Sequence, residues 1–246
     1  MTAAKADIVA RLQKDIILMQ RGKAAVENTA LDRMLGPIKD AFPNHSFPLG
    51  AIHEFVCTEA EDVSATGGFI AGIVASLMAA GGVCIWISSS RSIFLPALKA
   101  FGIEPDKIIF VDLNKEKDLL WVMEEALRCK GLAAVVGEVQ ELSFTASRRL
   151  QLAVEQSRVT GIVLRRRPRQ LVPTACVSRW KITSLPAMPE DDLPGVGFPR
   201  WNAALLKVRN GKPGNWEVAW VEGQFRHTTI ADSIPMKVGQ KMEQYA

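Results

Sequence analysis

The chain has 246 residues, of which 48% are hydrophobic, and a formal net charge of +4. This length suits one large α/β core with small additions, and no run of eighteen apolar residues indicates a membrane-spanning helix. The four cysteines are widely spaced and form no C-x-x-C pair, which argues against disulfide and zinc frameworks and predicts a reducing, cytoplasmic location.

Residues 1–45 are predicted to form an N-terminal helix and a linker. Within residues 5–20, four apolar side chains recur at the three- and four-residue spacing of one helical stripe: Ile8, Leu12, Ile16 and Met19. The stretch 21–49 is mixed in composition and ends in turn-forming residues. We therefore place the start of the main domain at residue 46.

Apolar runs alternate with helical stretches between residues 51 and 164. The runs with strand character are 51–56, 83–87, 107–112, 132–136 and 161–164. The helical stretches between them are 66–80, 93–101, 114–129 and 144–157. Strands that alternate with helices of this length predict a parallel sheet with right-handed crossovers.

The pattern changes after residue 165. Three further runs, 174–184, 201–209 and 216–222, have strand composition without intervening helices, and a turn-rich segment joins the last two. The predicted fold class is therefore α/β, a three-layer αβα core with a mainly parallel sheet and an antiparallel C-terminal extension. The main domain is predicted to end at residue 230, and the polar stretch 231–246 to be a loose tail.

Six tryptophans raise the hypothesis of base stacking on unpaired nucleotides. Three of them, Trp86, Trp121 and Trp180, lie inside strand or helix patterns and are predicted to be core residues. The others flank the C-terminal hairpin, where packing within the hairpin is favoured.

Several stretches resemble the ImuA family, RecA-like proteins of bacterial mutagenesis operons. They are Pro48–Glu54, Asp118–Ala126, Ser178–Ile182 and Pro199–Trp216. The resemblance implies a RecA-like domain over residues 46–230 and an accessory role in error-prone translesion synthesis during the SOS response. It also implies two partners, an ImuB-like Y-family protein and an error-prone replicative-type polymerase, with the C-terminal tail contacting the first.

A RecA-like ATPase needs a phosphate loop, G-x-x-x-x-G-K-[ST], whose amides, lysine and hydroxyl hold the phosphates and Mg²⁺. Here the first strand is followed by Cys57–Phe69, with Thr66-Gly67-Gly68 or Gly67-Gly68-Phe69 in place of Gly-Lys-Thr. No lysine lies between residues 39 and 99. Three acidic side chains stand where a triphosphate would sit, and they would repel it: Glu59, Glu61 and Asp62.

Two other positions of the ATPase are also lost. In RecA a catalytic glutamate follows the strand after the phosphate-loop helix, whereas Ile87–Arg91 contains no carboxylate. Gly137 replaces the metal-linked aspartate, and Glu138 is expected to point to the opposite face of the strand. We predict that the protein is not an enzyme and holds no cofactor or metal, with nucleotide binding by the amides of Thr66–Phe69 as an open alternative.

A basic cluster follows the fifth predicted strand and contains Arg165, Arg166, Arg167 and Arg169. Arginine suits phosphate because its planar fork donates two hydrogen bonds together. The cluster also lies about where RecA carries a mobile DNA-contacting loop. We predict these four residues as the nucleic-acid-binding site, with single-stranded DNA as the ligand. A solvated turn and a docking site for an acidic protein remain alternatives.

The predicted function is therefore a non-catalytic accessory factor of translesion synthesis that binds polymerase partners and DNA. Three alternatives stay open. The chain could be a SulA-like inhibitor of cell division, a RecA-class ATPase with an atypical phosphate loop, or a purely structural subunit.

Overall fold

A computed structural model describes residues 29–89, 93, 95–188 and 197–227. The predicted helix at residues 5–20 and the predicted tail at 231–246 lie outside the described residues. Within the described ranges, no helix is both long and apolar enough to span a membrane.

The described chain forms one sheet with helices on both faces. Its strands are β1 (Ile52–Cys57), β2 (Val83–Ser88), β3 (Ile108–Asp112), β4 (Leu132–Val139), β5 (Thr160–Arg166), β6 (Ser178–Met188), β7 (Phe198–Val208), β8 (Gly214–Val221) and β9 (Gln224–His227). Its α-helices are α1 (Thr29–Leu35), α2 (Glu61–Met78), α3 (Leu95–Lys99), α4 (Glu116–Leu127) and α5 (Phe144–Ser157). Short 3-10 helices span Gly36–Ala41, Pro43–His45 and Pro105–Lys107.

The strand order is β3-β2-β4-β5-β1-β6-β7-β8-β9. All pairs from β3 to β6 are parallel, and the pairs from β6 to β9 are antiparallel. The direction changes because crossover helices connect the first strands, whereas short turns such as Glu222–Gly223 can only reverse the chain. The predicted α/β fold class, with its antiparallel extension, is confirmed. Strand β9 was not predicted, since the last run of strand composition ends at Glu222.

Two cores lie on opposite faces of the sheet, because successive side chains of a strand point in opposite directions. Helices α1 and α2 cover the first core, and α4 and α5 cover the second. Trp86 and Trp180 are buried in the first core, as predicted. Trp121 is 59% exposed, so its predicted place in a core is wrong. Helix α4 turns Leu119 and Met123 toward the sheet, which puts Trp121 on its outer side.

Residues 29–45 pack against the sheet domain, although the sequence analysis assigns them to the N-terminal helix and linker. Leu31, Leu35 and Ile38 are fully buried in the first core. Asp32 fixes the following turn by accepting hydrogen bonds from the Phe47 amide at 2.8 Å and from Ser46 at 2.6 Å. A seven-residue helix and two 3-10 helices show no long apolar period, which is why the pattern did not reveal them.

Helix α2 begins at Glu61, five residues before the start predicted at Thr66. Its first turn forms directly after β1, with the Val63 amide donating to the Ala60 carbonyl at 3.2 Å. Gly67 and Gly68 therefore lie inside the helix and not at its start. A Cβ on Gly68 would come within 3.0 Å of the rings of Phe101 and Trp201, so this glycine permits close packing.

Candidate functional site

The carboxyl ends of the parallel strands meet at one edge of the sheet, which is where ligands bind in open α/β sheets. A cavity of about 480 Å³ lies at this edge. We call it the edge cavity. The start of α2 and the segments after β2 to β5 line it, among them Val63, Ser89, Asn114, Gln140 and Arg167.

The connection from β1 to α2 is only three residues long, Thr58–Ala60. It contains no glycine and no lysine, and the first turn of α2 adds Glu61 and Asp62. A phosphate loop needs a longer glycine-containing loop to wrap its amides around a phosphate. The amides of Thr66–Phe69 lie within α2, where they bond to the preceding helical turn. The alternative that these four amides bind a nucleotide is therefore wrong.

A carboxylate of the chain itself binds backbone amides at the edge cavity. Glu116, at the start of α4, accepts hydrogen bonds from the amides of Gln140 and Glu141 at 2.5 and 2.7 Å. These amides follow β4, the strand whose end carries the metal-linked acid in the ATPases. They cannot serve a bound anion unless Glu116 leaves.

Gly137 and Glu138 point to opposite faces of β4, as predicted. A Cβ on Gly137 would lie 2.6 Å from the sulfur of Met123, on the side of α4. Glu138 is buried on the other side, where Oε1 accepts from Trp86 Nε1–H at 2.8 Å and Oε2 from Arg166 Nη1 at 3.3 Å. Because protein donors already bind both oxygens, Glu138 is a poor metal ligand. No cluster of three or more metal-ligating side chains occurs among the described residues.

Arg165 is fully buried, so its predicted contact with phosphate is wrong. Its Nη1 donates to Glu54 Oε1 at 2.8 Å, and its Nη2 donates to Glu141 Oε2 at 3.2 Å and to the Gln170 carbonyl at 3.0 Å. Glu54 lies on the neighbouring strand β1, on the same face of the sheet. The two side chains therefore meet inside the protein, where an unpaired charge would be costly.

Glu54 is the centre of a buried ionic cluster, which we call the Glu54 cluster. Arg179 Nε and Thr174 Oγ1 each donate to Glu54 Oε2 at 2.8 Å. Arg179 Nη2 also donates to the Val172 carbonyl at 2.6 Å. The cluster thus ties the segment 167–177 to β1. Sequence reasoning missed it, although a glutamate within the apolar strand Ile52–Cys57 is a signal of a buried partner.

The other three predicted arginines lie in different surroundings. Arg166 is half-buried and pairs with Glu138, whereas Arg167 and Arg169 are exposed. The backbone of the last two is fixed, because the Arg167 amide donates to Cys57 O and the Arg169 amide to Glu141 Oε1, both at 2.8 Å. No carboxylate in the described part of the chain forms an ion pair with either guanidinium. The structure brings Arg166 and Arg167 to the edge cavity.

Two buried titratable side chains of β1 are structural, His53 near its amino end and Cys57 at its carboxyl end. Burial lowers the pKa of His53 to about 4, so the ring is neutral near pH 7. Its nitrogens lie 2.7 Å from Ser178 Oγ and 2.7 Å from the Pro48 carbonyl. Burial raises the pKa of the Cys57 thiol to about 11. These groups therefore have neither the charge nor the access that a nucleophile needs.

No protein-family model matches the chain. It is 35% identical over 191 residues to Protein ImuA from two strains of Caulobacter vibrioides, a match that covers 73% of this chain and 78% of each relative. Among solved structures, the RadB recombinase is similar with a TM-score of 0.53 and 14% identity, covering 80% of this chain and 96% of that one. At this identity the likeness concerns the fold alone, and it confirms the predicted RecA-like arrangement.

Proposed function

This chain belongs to the ImuA family, and we propose that it is a non-catalytic accessory factor of error-prone translesion DNA synthesis. The observation that carries the non-catalytic part is the three-residue connection between β1 and the acidic first turn of α2. In a RecA-like core without a phosphate loop, the surfaces of the sheet and helices remain available to bind other macromolecules.

Electrostatics in the edge cavity and at the neighbouring start of α2 supports the same proposal. Glu59 in the β1–α2 connection and Glu61 at the start of α2 are exposed, and each repels an anion several ångströms away by about 1 kcal/mol in well-solvated surroundings, whereas Asp62 is buried. Arg166 is bound to Glu138, which reduces its attraction for phosphate. Arg167 is the cation of the cavity that no described acid neutralises.

The partners that we propose are an ImuB-like Y-family protein and an error-prone replicative-type polymerase, acting in the cytoplasm during the SOS response. Contact with single-stranded DNA is part of the proposal and rests on Arg167 and Arg169. Both are exposed on a fixed backbone, whereas Arg165 is buried.

ATP hydrolysis by the purified full chain tests the non-catalytic part. With or without single-stranded DNA, the rate should stay at the level of buffer. Two tryptophan variants form a matched pair: Val63→Trp enlarges a side chain that lines the edge cavity, and Gln156→Trp lies on the exposed side of α5. A rate that scales with protein concentration and falls only in Val63→Trp would contradict the proposal and favour the RecA-class ATPase.

Capture of partners tests the accessory part. A tagged full chain is isolated from cells after DNA damage, and the bound proteins are identified by mass. Capture of a Y-family polymerase-like protein and a replicative-type polymerase is expected. Capture of a tubulin-like division protein in their place would favour the SulA-like inhibitor.

A further inference from the structure

A second concave surface lies between helices α1 and α2 and the turn from β8 to β9. Its volume is about 320 Å³. Its walls include Met34, Phe101 and Trp220, and the side chains along α2 are small: Gly72, Ala75, Ser76 and Ala79. We call this surface the α1–α2 groove. It is separate from the edge cavity, and the proposed function does not use it.

We propose that the α1–α2 groove is the docking site of the chain's own N-terminal segment, residues 5–20, bound as an amphipathic helix. The described chain begins at Thr29, and the next residue, Ala30, lines the groove. The connector 21–28 has eight residues and can span at most about 28 Å. The whole groove is therefore within reach of the segment that precedes it.

The two surfaces complement each other in shape. The segment carries large apolar side chains along one predicted stripe, Ile8, Leu12, Ile16 and Met19. Trp220 covers Gly72, but the other α2 residues of the groove, Ala75, Ser76 and Ala79, are small and at least partly exposed, so that the backbone of a second helix can approach closely. The groove follows the end of α2 from Gly72 to Ala79, a stretch of about 10 Å, which matches about two turns of the predicted helix.

Charge also favours docking of this segment in the groove. Arg33 is the charged side chain among the described residues that line the groove. On the predicted helix, Asp15 lies three residues after Leu12 and four before Met19, so it stands at the edge of the apolar stripe. Lys5 lies on the stripe itself, three residues before Ile8, so charge favours docking with the Asp15 end of the helix beside Arg33.

A covalent connection favours this occupant over a second copy of the chain. A segment held by eight residues faces the groove at an effective concentration in the millimolar range. A segment from another molecule is present only at the protein concentration. Occupation should accordingly be independent of dilution.

Limited digestion with trypsin tests the docking, because cleavage tracks the population of open chain. Lys14 lies within the segment and Lys23 lies in the connector. In the full chain we expect cleavage after Lys14 to be at least about ten-fold slower than after Lys23. Leu12→Asp, on the stripe, and Ala75→Arg, in the groove, should each remove this protection.

Two control variants isolate the interface. Ala10→Asp lies on the opposite side of the predicted helix, and Gln156→Arg lies on α5, on the other face of the sheet, so both should keep Lys14 protected. Leu12→Asp changes none of the described residues, so it tests docking even where Ala75→Arg affects the described core. Equal cleavage after Lys14 and Lys23 in the unmodified chain, or protection that survives Leu12→Asp, would overturn the proposal. Protection that disappears on dilution together with a dimer in light scattering would also overturn it, since a second copy would then fill the groove.

Discussion

Replacing Arg165 by methionine should destabilise the protein strongly, although the same change at Arg169 should not. Arg165 is fully buried and bonds to Glu54 and Glu141, whereas Arg169 is exposed. Methionine keeps much of the apolar stem but removes every donor of the guanidinium. Glu54 is also fully buried, and it then retains only two donors, the Arg179 guanidinium and the Thr174 hydroxyl.

The magnitude follows from this partial loss. Breaking a buried ion pair by removing one partner costs about 3–5 kcal/mol. Arg179 still contacts Glu54 at 2.8 Å, so we expect the lower end, about 3 kcal/mol. In a protein of this size 1 kcal/mol shifts the Tm by about 2–4 °C, which gives a decrease of about 6–12 °C.

Urea denaturation followed by tryptophan fluorescence measures the effect. Arg165→Met should lower the midpoint without changing the slope, and Arg169→Met should stay within about 0.5 kcal/mol of the unmodified chain. Equal stability of the two variants would refute the Glu54 cluster. Arg165 would then return to the set of arginines available for phosphate.

Three further outcomes are expected. Burial lowers the pKa of His53 from 6.5 to about 4, so between these pH values the unfolded chain binds one proton more than the folded chain. The free energy of unfolding should therefore fall by about 1.4 kcal/mol per pH unit as the pH drops through this window. Denaturation at pH 7, 6 and 5 should show that His53→Gln removes this part of the slope. Changing Arg167 and Arg169 to alanine should flatten the salt dependence of single-stranded DNA binding by about 1.4 in log–log slope, and equal slopes would leave them as a solvated turn. Gly72→Ala should cost about 1–3 kcal/mol, because its Cβ would come within 3.0 Å of two aromatic rings, whereas Gly131→Ala, with open space, should leave the Tm unchanged.

Much of the fold could be predicted because the alternation of strands and helices is written in local periodicity. The bounds predicted for α5, Phe144–Ser157, are those of the structure. Its start is marked by Ser143, whose side chain accepts a hydrogen bond from the Ala146 amide. The start of α2 was missed because Thr58–Ala60 and the polar first turn read as one long loop. Acidic residues are favoured in the first turn of a helix, but aspartate is also favoured in turns, so Glu61 and Asp62 alone did not mark the start of α2.

The candidate site was predicted in part. Sequence reasoning identified the lost phosphate loop and the opposite directions of Gly137 and Glu138, since both depend on residue type and on the two-residue period of a strand. It treated four neighbouring arginines as one basic surface. The structure separates them into a buried one, a half-buried one and two exposed ones.

The sequence by itself determined that no lysine lies near the end of β1, because the set of side chains in a segment is a covalent property that folding cannot change. It also determined the family, since the resemblance extends along most of the chain. Only the tertiary structure decided which arginines face solvent. Arg165 meets Glu54 across 111 residues of sequence, because β5 and β1 pair side by side in the sheet. Burial and charge pairing depend on such neighbours in space, and a charged side chain enters the core only where a distant partner of opposite charge compensates its desolvation.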